Sequence, residues 1–327
     1  MESRQLRIAA CHHGRDILGA LSERIINESK LTLRRLIAEG HIRVNGNAVG
    51  PRSRVWEGDE ISVPPELDLG PPPGGPLVID VLREERDHLA VNKPAGYPVL
   101  AARDGDERQF YNSLVAWLNR DAPEGGPYVR AHPVHRLDRG TSGVLLVAKD
   151  ERTGRNLSLQ FQRRKVRKSY LAIVEGVLPR RQVTVDIPLA RASSSGFKMA
   201  ADDRSGKPAV SRIELERAFG HFSLVRVTPL TGRQHQVRVH LAAIGYPLAV
   251  DFMYGRRDQL TGEAFNAIVG RAAVHPARVL MARSTLHAES ISYHSPSTGE
   301  RQEVSAPLPA DMASLLELLA EKDPPPS

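Results

Sequence analysis

One cysteine, Cys11, occurs in 327 residues. A single thiol excludes an internal disulfide framework, a cysteine-rich zinc site and any two-cysteine redox motif. No stretch approaches eighteen consecutive apolar residues, so no transmembrane helix is expected. Met1–His13 is polar and mixed in charge. It lacks the apolar core of a secretory signal, which makes the cytoplasm the simplest compartment. There is no Gly-rich nucleotide loop and no internal repeat. What remains is ample for a folded chain, with 41% hydrophobic residues and 25% charged ones. Lysine and arginine number 45 against 38 acidic residues, a net charge of +7. That excess fits nucleic acid, an anionic membrane surface or plain solvation, and composition does not separate them.

The length points to two domains. The break falls at Pro64-Pro65-Glu66-Leu67-Asp68-Leu69-Gly70 and the Pro71–Pro76 run behind it, where proline and glycine are too dense for a helix or a central strand. The expected division is a module over 1–64, a linker over 65–76, a large domain over 77–308, and a C-terminal helix and frayed tail over 309–327. In the first module, Ile17, Leu18, Leu21, Ile25 and Ile26 recur at helical spacing, and Leu33, Leu36 and Ile37 form a second stripe that Gly40 is placed to stop. Asn45-Gly46 signals a hairpin, and Glu57-Gly58-Asp59 a further turn. Lys30, Arg34 and Arg35 gather on the second helix. On charge alone that is a solvated face, and otherwise a phosphate-contacting one. The pattern from Leu33 to Gly46 with Glu57-Gly58-Asp59 resembles the small RNA-binding fold of ribosomal small-subunit protein four over residues 14–64, which favours RNA contact.

In the large domain, Asn92-Lys93-Pro94-Ala95-Gly96 reads as a rigid turn, with Lys93 expected at the surface. His135-Arg136-Leu137-Asp138-Arg139-Gly140-Thr141-Ser142-Gly143 is polar and directly precedes the apolar run Val144–Ala148, so it is a loop at the mouth of a buried strand. The arginines flanking Asp138 favour its charged form. On spacing alone Asp138 fits a structural ion pair as well as a catalytic group. A helix is expected from Glu151 to about Arg163. Arg152, Arg155, Arg163, Arg164, Lys165, Arg167 and Lys168 then supply seven cations with no acidic residue among them. That number equals the whole net excess, so the rest of the chain balances to zero. Lys168-Ser169-Tyr170 enters a strand, where Tyr170 fits a core aromatic with a wet hydroxyl. Thr231-Gly232-Arg233-Gln234-His235-Gln236-Val237-Arg238-Val239-His240 reads as a helix from Gln234, and its two histidines lie five apart, off the spacing of a zinc pair. Met312–Leu319 should form an amphipathic helix with Leu315, Leu316 and Leu319 inward.

Lys93-Pro94-Ala95-Gly96, His135-Arg136-Leu137-Asp138 with Thr141-Ser142-Gly143, Lys168-Ser169-Tyr170, Thr231–Gln236 and Leu286-His287-Ala288 together resemble, in this order, the RluA-type family of pseudouridine synthases. The likeness covers roughly residues 77–308. Departures are Val250 where the family usually carries glycine and a serine inserted in His294-Ser295-Pro296. The resemblance implies an α+β fold with a mixed, mostly antiparallel sheet and a central cleft. It implies isomerisation of uridine within RNA by base flipping, with no cofactor and no metal. It assigns Asp138 as nucleophile or base, Arg233 as the cation paired with it, and Tyr170 as the ring on the target base. It implies further that Arg136 is the side chain that enters the vacated stack. The expected partner is RNA, ribosomal RNA before transfer RNA, contacted also by Arg163, Arg164, Lys165, Arg167 and Lys168. No membrane partner is expected, and a monomer is the default. The competing reading is a non-catalytic RNA-binding or ribosome-assembly factor that retains the fold. A glycoside hydrolase would need a second carboxylate beside Asp138, and arginines flank it instead.

Overall fold

The structure, a computed structural model, describes residues 3–25, 28–67, 69, 77–100, 109–122, 128–192 and 198–325. Most of the expected linker, and Cys11's side chain, lie outside the described residues. The chain forms two units, one of Met1–Ile79 with Arg108–His132 and one of Asp80–Glu107 with Pro133–Ser327.

In the first unit, strand β1 (Arg4–Arg7) precedes helices α1 (Ile17–Arg24) and α2 (Lys30–Ala38) and strands β2 (Arg43–Val44), β3 (Asn47–Ala48) and β4 (Glu60–Val63). The strands form one sheet in the order β1-β4-β2-β3. Asp16 caps α1 by accepting from the Gly19 N–H, and Ser29 caps α2 by accepting from Thr32. Asn45 and Gly46 both take positive φ, at 49° and 78°, as a tight hairpin turn requires. Ile17, Leu21, Ile25, Leu33 and Ile37 meet in one core with Ile61 and Val63. Helix α3 (Gln109–Leu118) belongs to this unit, which corrects the expectation of one unbroken domain over 77–308. Within the unit, Arg130 donates to the carbonyls of Ser22, Ile25 and Glu28. It thereby satisfies the orphan acceptors at the end of α1.

The second unit is built on a ten-stranded sheet. Its strands are β5 (Asp80–Glu84), β6 (His88–Lys93), β7 (His132–Pro133), β8 (Ser142–Ala148), β9 (Arg167–Glu175), β10 (Gln182–Asp186), then β13 (Val210–Ala218), β14 (Phe222–Pro229), β17 (Leu286–His294) and β18 (Arg301–Ser305). Two ribbons, β11 (Leu189–Arg191) with β12 (Met199–Ala201) and β15 (Leu260–Thr261) with β16 (Val279–Met281), complete the strand set. The main order is β10-β13-β14-β9-β17-β8-β6-β5, antiparallel except where β17 runs parallel to β8. Every residue of β8 is buried, as its unbroken apolar run requires of a strand covered on both faces. Helix α4 (Glu151–Gln162) places Leu157 against Val144, Leu146 and Ala148. Helices α5 (Gln236–Ala243), α6 (Gly262–Val269) and α7 (Ala310–Lys322) follow. The α+β class with a mixed, mostly antiparallel sheet is thus as expected.

Two terminal expectations change. Helix α7 buries Met312, Leu315 and Leu319, with Leu316 only partly covered. Asp323 does not fray: it is 3% exposed, and its carboxylate accepts from the His221 N–H. Val250 is fully buried in the core, and it is not among the described non-glycine residues with positive φ. The family's glycine is therefore not needed here for backbone reasons.

Candidate functional site

The loop ahead of β8 carries Asp138, and two separate motifs hold it. The Thr141 N–H donates to the Asp138 carbonyl, closing a turn. The Gly96 N–H donates to the Arg139 carbonyl, and the Arg139 Nε returns a bond to the Gly96 carbonyl at 2.8 Å. The Lys93-Pro94-Ala95-Gly96 turn is therefore a brace for the aspartate loop. On the other side, Ser142 Oγ lies 3.0 Å from His287 Nδ1 where β8 and β17 run parallel.

The cation paired with Asp138 is Arg238, not Arg233. Arg238 Nη1 donates to Asp138 Oδ2 at 2.9 Å, while its Nε and Nη2 grip Asp251 at 2.6 and 2.7 Å. Arg238 is 3% exposed and Asp251 is 1% exposed. Burial disfavours the guanidinium charge, but the bonds to Asp251 and the nearby Asp138 outweigh it and raise the Arg238 pKa. Burial likewise works against the Asp251 charge, and the Arg238 bonds still hold its carboxyl below the usual range. Arg233 instead sends its Nε to the Pro208 carbonyl at 3.1 Å and is half-buried. The second carboxylate that a hydrolase would need is present as Asp251, but it is buried and consumed by Arg238.

The rest of the Thr231–His240 segment explains this geometry. The Gln236 side chain accepts from the Thr231 hydroxyl and the Arg233 N–H and donates to the Val210 carbonyl, so it laces the loop closed. His235 takes φ 54° directly before α5, which starts two residues later than the spacing suggested. That left-handed residue turns the first helical turn so that Arg238 faces Asp138. It costs about 1 kcal/mol for a non-glycine residue, a strain typical of functional sites. His235 Nδ1 lies 2.8 Å from the Tyr254 hydroxyl and its Nε2 3.8 Å from Asp138 Oδ1. Burial pushes its pKa down, against the pull of Asp138. His240 faces elsewhere, with Nδ1 3.0 Å from Ser211 Oγ.

Asp138 lines a cavity of about 530 Å3. Tyr170, Arg136, Arg233, Arg164 and Lys168 line it too. Tyr170 is 7% exposed, with the Lys168 ammonium 5.8 Å from its ring centre, so it is core-packed and cavity-facing at once. Arg163, Lys165 and Arg167 are exposed but do not line the cavity, so only part of the basic run reaches it. Arg164 takes φ 56° just past α4, where glycine is the usual residue. Lys30, Arg34 and Arg35 are exposed on α2 in the first unit.

Lys93, expected at the surface, is fully buried, and donates to the Pro94 and Tyr97 carbonyls at 2.6 and 2.8 Å. Burial drives its pKa to about 7, with Asp138 opposing and Arg283 adding to the fall. His135 is driven to about 3 by burial and then by Lys168, and its Nε2 accepts from the Leu146 N–H. For Lys93 the consequence is measurable. Below about pH 7 folding must carry a charged buried amine. Between there and the unfolded value near 10.5 the unfolded chain binds the extra proton, so stability rises with pH. Wild-type protein is expected to gain roughly 2 kcal/mol from pH 7 to 9 in urea denaturation. Lys93→Met should flatten that slope, and parallel profiles for the two proteins would contradict the assignment.

Arg238 was the residue that spacing missed. The signal was its setting between Val237 and Val239, since an arginine carried inward with such neighbours needs a buried acid.

The comparisons agree with this geometry. Residues 87–243 match the family model described as RNA pseudouridylate synthase. The RNA pseudouridine synthase YlyB of Bacillus subtilis is 34% identical over 89% of this chain and 89% of its own length. Ribosomal large subunit pseudouridine synthase C of Salmonella typhi is 33% identical over 96% of both chains. Ribosomal large subunit pseudouridine synthase D of Neisseria meningitidis is 34% identical, covering 90% of this chain and 75% of that protein. Among solved structures, human RNA pseudouridylate synthase domain containing 4 shares the fold at a TM-score of 0.58 and 23% identity, covering 74% of this chain and 93% of that one. No described helix is long and apolar enough to cross a membrane. With relatives of this identity matched over nearly their whole length, and its Asp138, Tyr170 and Thr231–Gln236 segments meeting at one cavity, the chain belongs to the RluA-type RNA pseudouridine synthases.

Proposed function

We propose that this enzyme acts on large-subunit ribosomal RNA, in the cytoplasm and as a monomer, converting particular uridines to pseudouridine. The observation that carries the reading is the Asp138–Arg238 pair in a cavity lined by Tyr170 and Arg136. The target uridine flips out of its stack into that cavity, and the planar Arg136 guanidinium takes the vacated place. Asp138 acts as nucleophile or base while Arg238 fixes the orientation of its carboxylate. The N1–C1′ bond breaks, the uracil turns, and C5 bonds to C1′. The C5 proton passes to the Tyr170 hydroxyl oxygen as that hydroxyl gives up its own proton, and N1 gains a proton, so no external reactant is consumed. Arg164 and Lys168 at the cavity, with Arg163, Lys165 and Arg167 beyond it, bind backbone phosphates. In the first unit, Lys30, Arg34 and Arg35 are exposed on α2 while Leu33 and Ile37 are buried, which supports a second RNA contact by a module like that of ribosomal small-subunit protein four. The ribosomal assignment follows the names of the Salmonella and Neisseria relatives.

Site-resolved pseudouridine mapping of total RNA, with and without the gene, tests the reading. Loss of modification at one or more large-subunit ribosomal uridines, restored by the wild-type gene, is expected. Loss confined to transfer RNA would replace the substrate, and an unchanged map would overturn the activity.

A further inference from the structure

Six phenylalanines are described, and five of them are buried or half-buried; Phe252 alone is exposed, at 64%. An exposed phenylalanine on its own needs no explanation. Its position does. Phe252 follows Asp251, whose carboxylate accepts from the Met253 and Tyr254 N–H groups at 2.9 and 3.1 Å and from Arg238. The backbone on both sides of the ring is thereby fixed by a buried network rather than left in a free loop. The Arg238 guanidinium carbon lies 5.6 Å from the Phe252 ring centre, and the same guanidinium donates to Asp138 at 2.9 Å. One side chain therefore separates an exposed aromatic ring from the reactive carboxylate.

We infer that Phe252 is a stacking surface for an RNA base next to the flipped uridine, an inference that rests on the function proposed above. A base displaced from its duplex neighbour exposes a π-face, and an anchored aromatic ring offers it a partner without sequence preference. The surroundings select RNA over an apolar protein segment. Arg136 at the cavity and Arg256, which pairs with Glu175 through Nη1 yet stays 64% exposed four residues beyond Phe252, place cations where a phosphate backbone runs. Among the described residues, the ring contributes to none of the buried clusters of the unit. Phe252 and Arg136 would then act together, one filling the gap that the target leaves and the other holding a neighbouring base, so that the cost of unstacking is shared.

The test is steady-state kinetics on an unmodified transcript of large-subunit ribosomal RNA. Phe252→Ala should raise KM about tenfold, the scale of one lost base stack, with kcat within about twofold of wild type and an unchanged thermal midpoint. Phe252→Trp should restore KM, whereas Phe252→Leu, apolar but without a π-face, should not. An alanine variant with wild-type KM would overturn the inference, as would full rescue by leucine, which points to apolar cover or a protein contact. Wild-type protein that leaves every uridine unmodified would overturn the proposed function and this inference with it. Active wild type with an unaffected alanine variant would overturn the inference alone.

Discussion

Asp138→Asn is expected to make no detectable pseudouridine, a loss of at least ~10⁴-fold, while binding RNA within a few-fold of wild type. Two features of the site make the separation sharp. Asparagine has the shape of aspartate, and the Asp138 side chain is 19% exposed, so no buried cavity opens. Arg238 keeps both bonds to Asp251 after the change, so the larger of its two partnerships survives and α5 stays in place. In the proposed function RNA affinity is assigned to other groups, Arg136, Arg164 and Lys168 at the cavity among them. The measurement is product formation beside filter binding on the same transcript. A comparable rate of pseudouridine formation in the variant would remove Asp138 from the chemistry. Complementation reads the cellular side: a deletion strain fully rescued by Asp138→Asn protein would favour a binding or assembly role over catalysis.

Much of the architecture is legible in the chain because local signals and tertiary demands agree there. The run Val144–Ala148 has no polar residue to face water, and it becomes part of a strand buried on both sides. Asn45-Gly46 takes two positive φ values with little strain and forms its hairpin. The motifs around Asp138, Tyr170 and Thr231 meet at one cavity as their family resemblance implies. What fails to read through is whatever depends on a partner distant in sequence. Lys93 looks like a surface charge because nothing near it shows that β6 pairs with β8 and encloses it. Asp323 looks like part of a frayed tail because its partner, His221, is a hundred residues away. Helix α3 sits between segments of the second unit in sequence, and its place shows only in distant contacts, the reach of Arg130 to the end of α1 and the Tyr128 N–H bond to the Glu23 carbonyl. The choice between Arg233 and Arg238 turns on where α5 begins. A shift of two residues in a helix start rotates its side chains by more than half a turn. The left-handed His235 that sets this start leaves no mark on hydrophobic periodicity.

Replacing Arg238 by methionine is expected to cost about 3–5 kcal/mol of stability together with the activity. The reason lies in Asp251, which is 1% exposed and would keep only the Met253 and Tyr254 N–H groups to hold its charge. An uncompensated buried carboxylate is worse than no ion pair at all, so the variant suffers more than the net worth of the pair. The thermal midpoint should fall on the order of 10 °C. The pH dependence gives the sign. In wild type the Asp251 carboxyl is held below its usual range, so it adds stability above the unfolded carboxyl value that is lost as pH falls. In the methionine variant burial, the largest influence on that carboxyl, is opposed only by the Met253 and Tyr254 N–H groups and raises it, so the variant loses stability as pH rises through the unfolded value. The gap between the two proteins must therefore be wider at pH 7 than at pH 4. Arg238→Lys keeps the charge but not the fork that spans Asp251 through Nε and Nη2 and Asp138 through Nη1, and it should recover only part of either property. Arg233→Met is the contrasting variant. Its side chain is half-buried at the cavity wall and donates to a neutral carbonyl, that of Pro208, so its midpoint should move by no more than ~2 °C. Its activity should fall through RNA affinity rather than through kcat. If Arg233→Met abolished turnover as Asp138→Asn does while Arg238→Met turned over normally, the pairing of Asp138 with Arg238 would not be the one that serves the reaction.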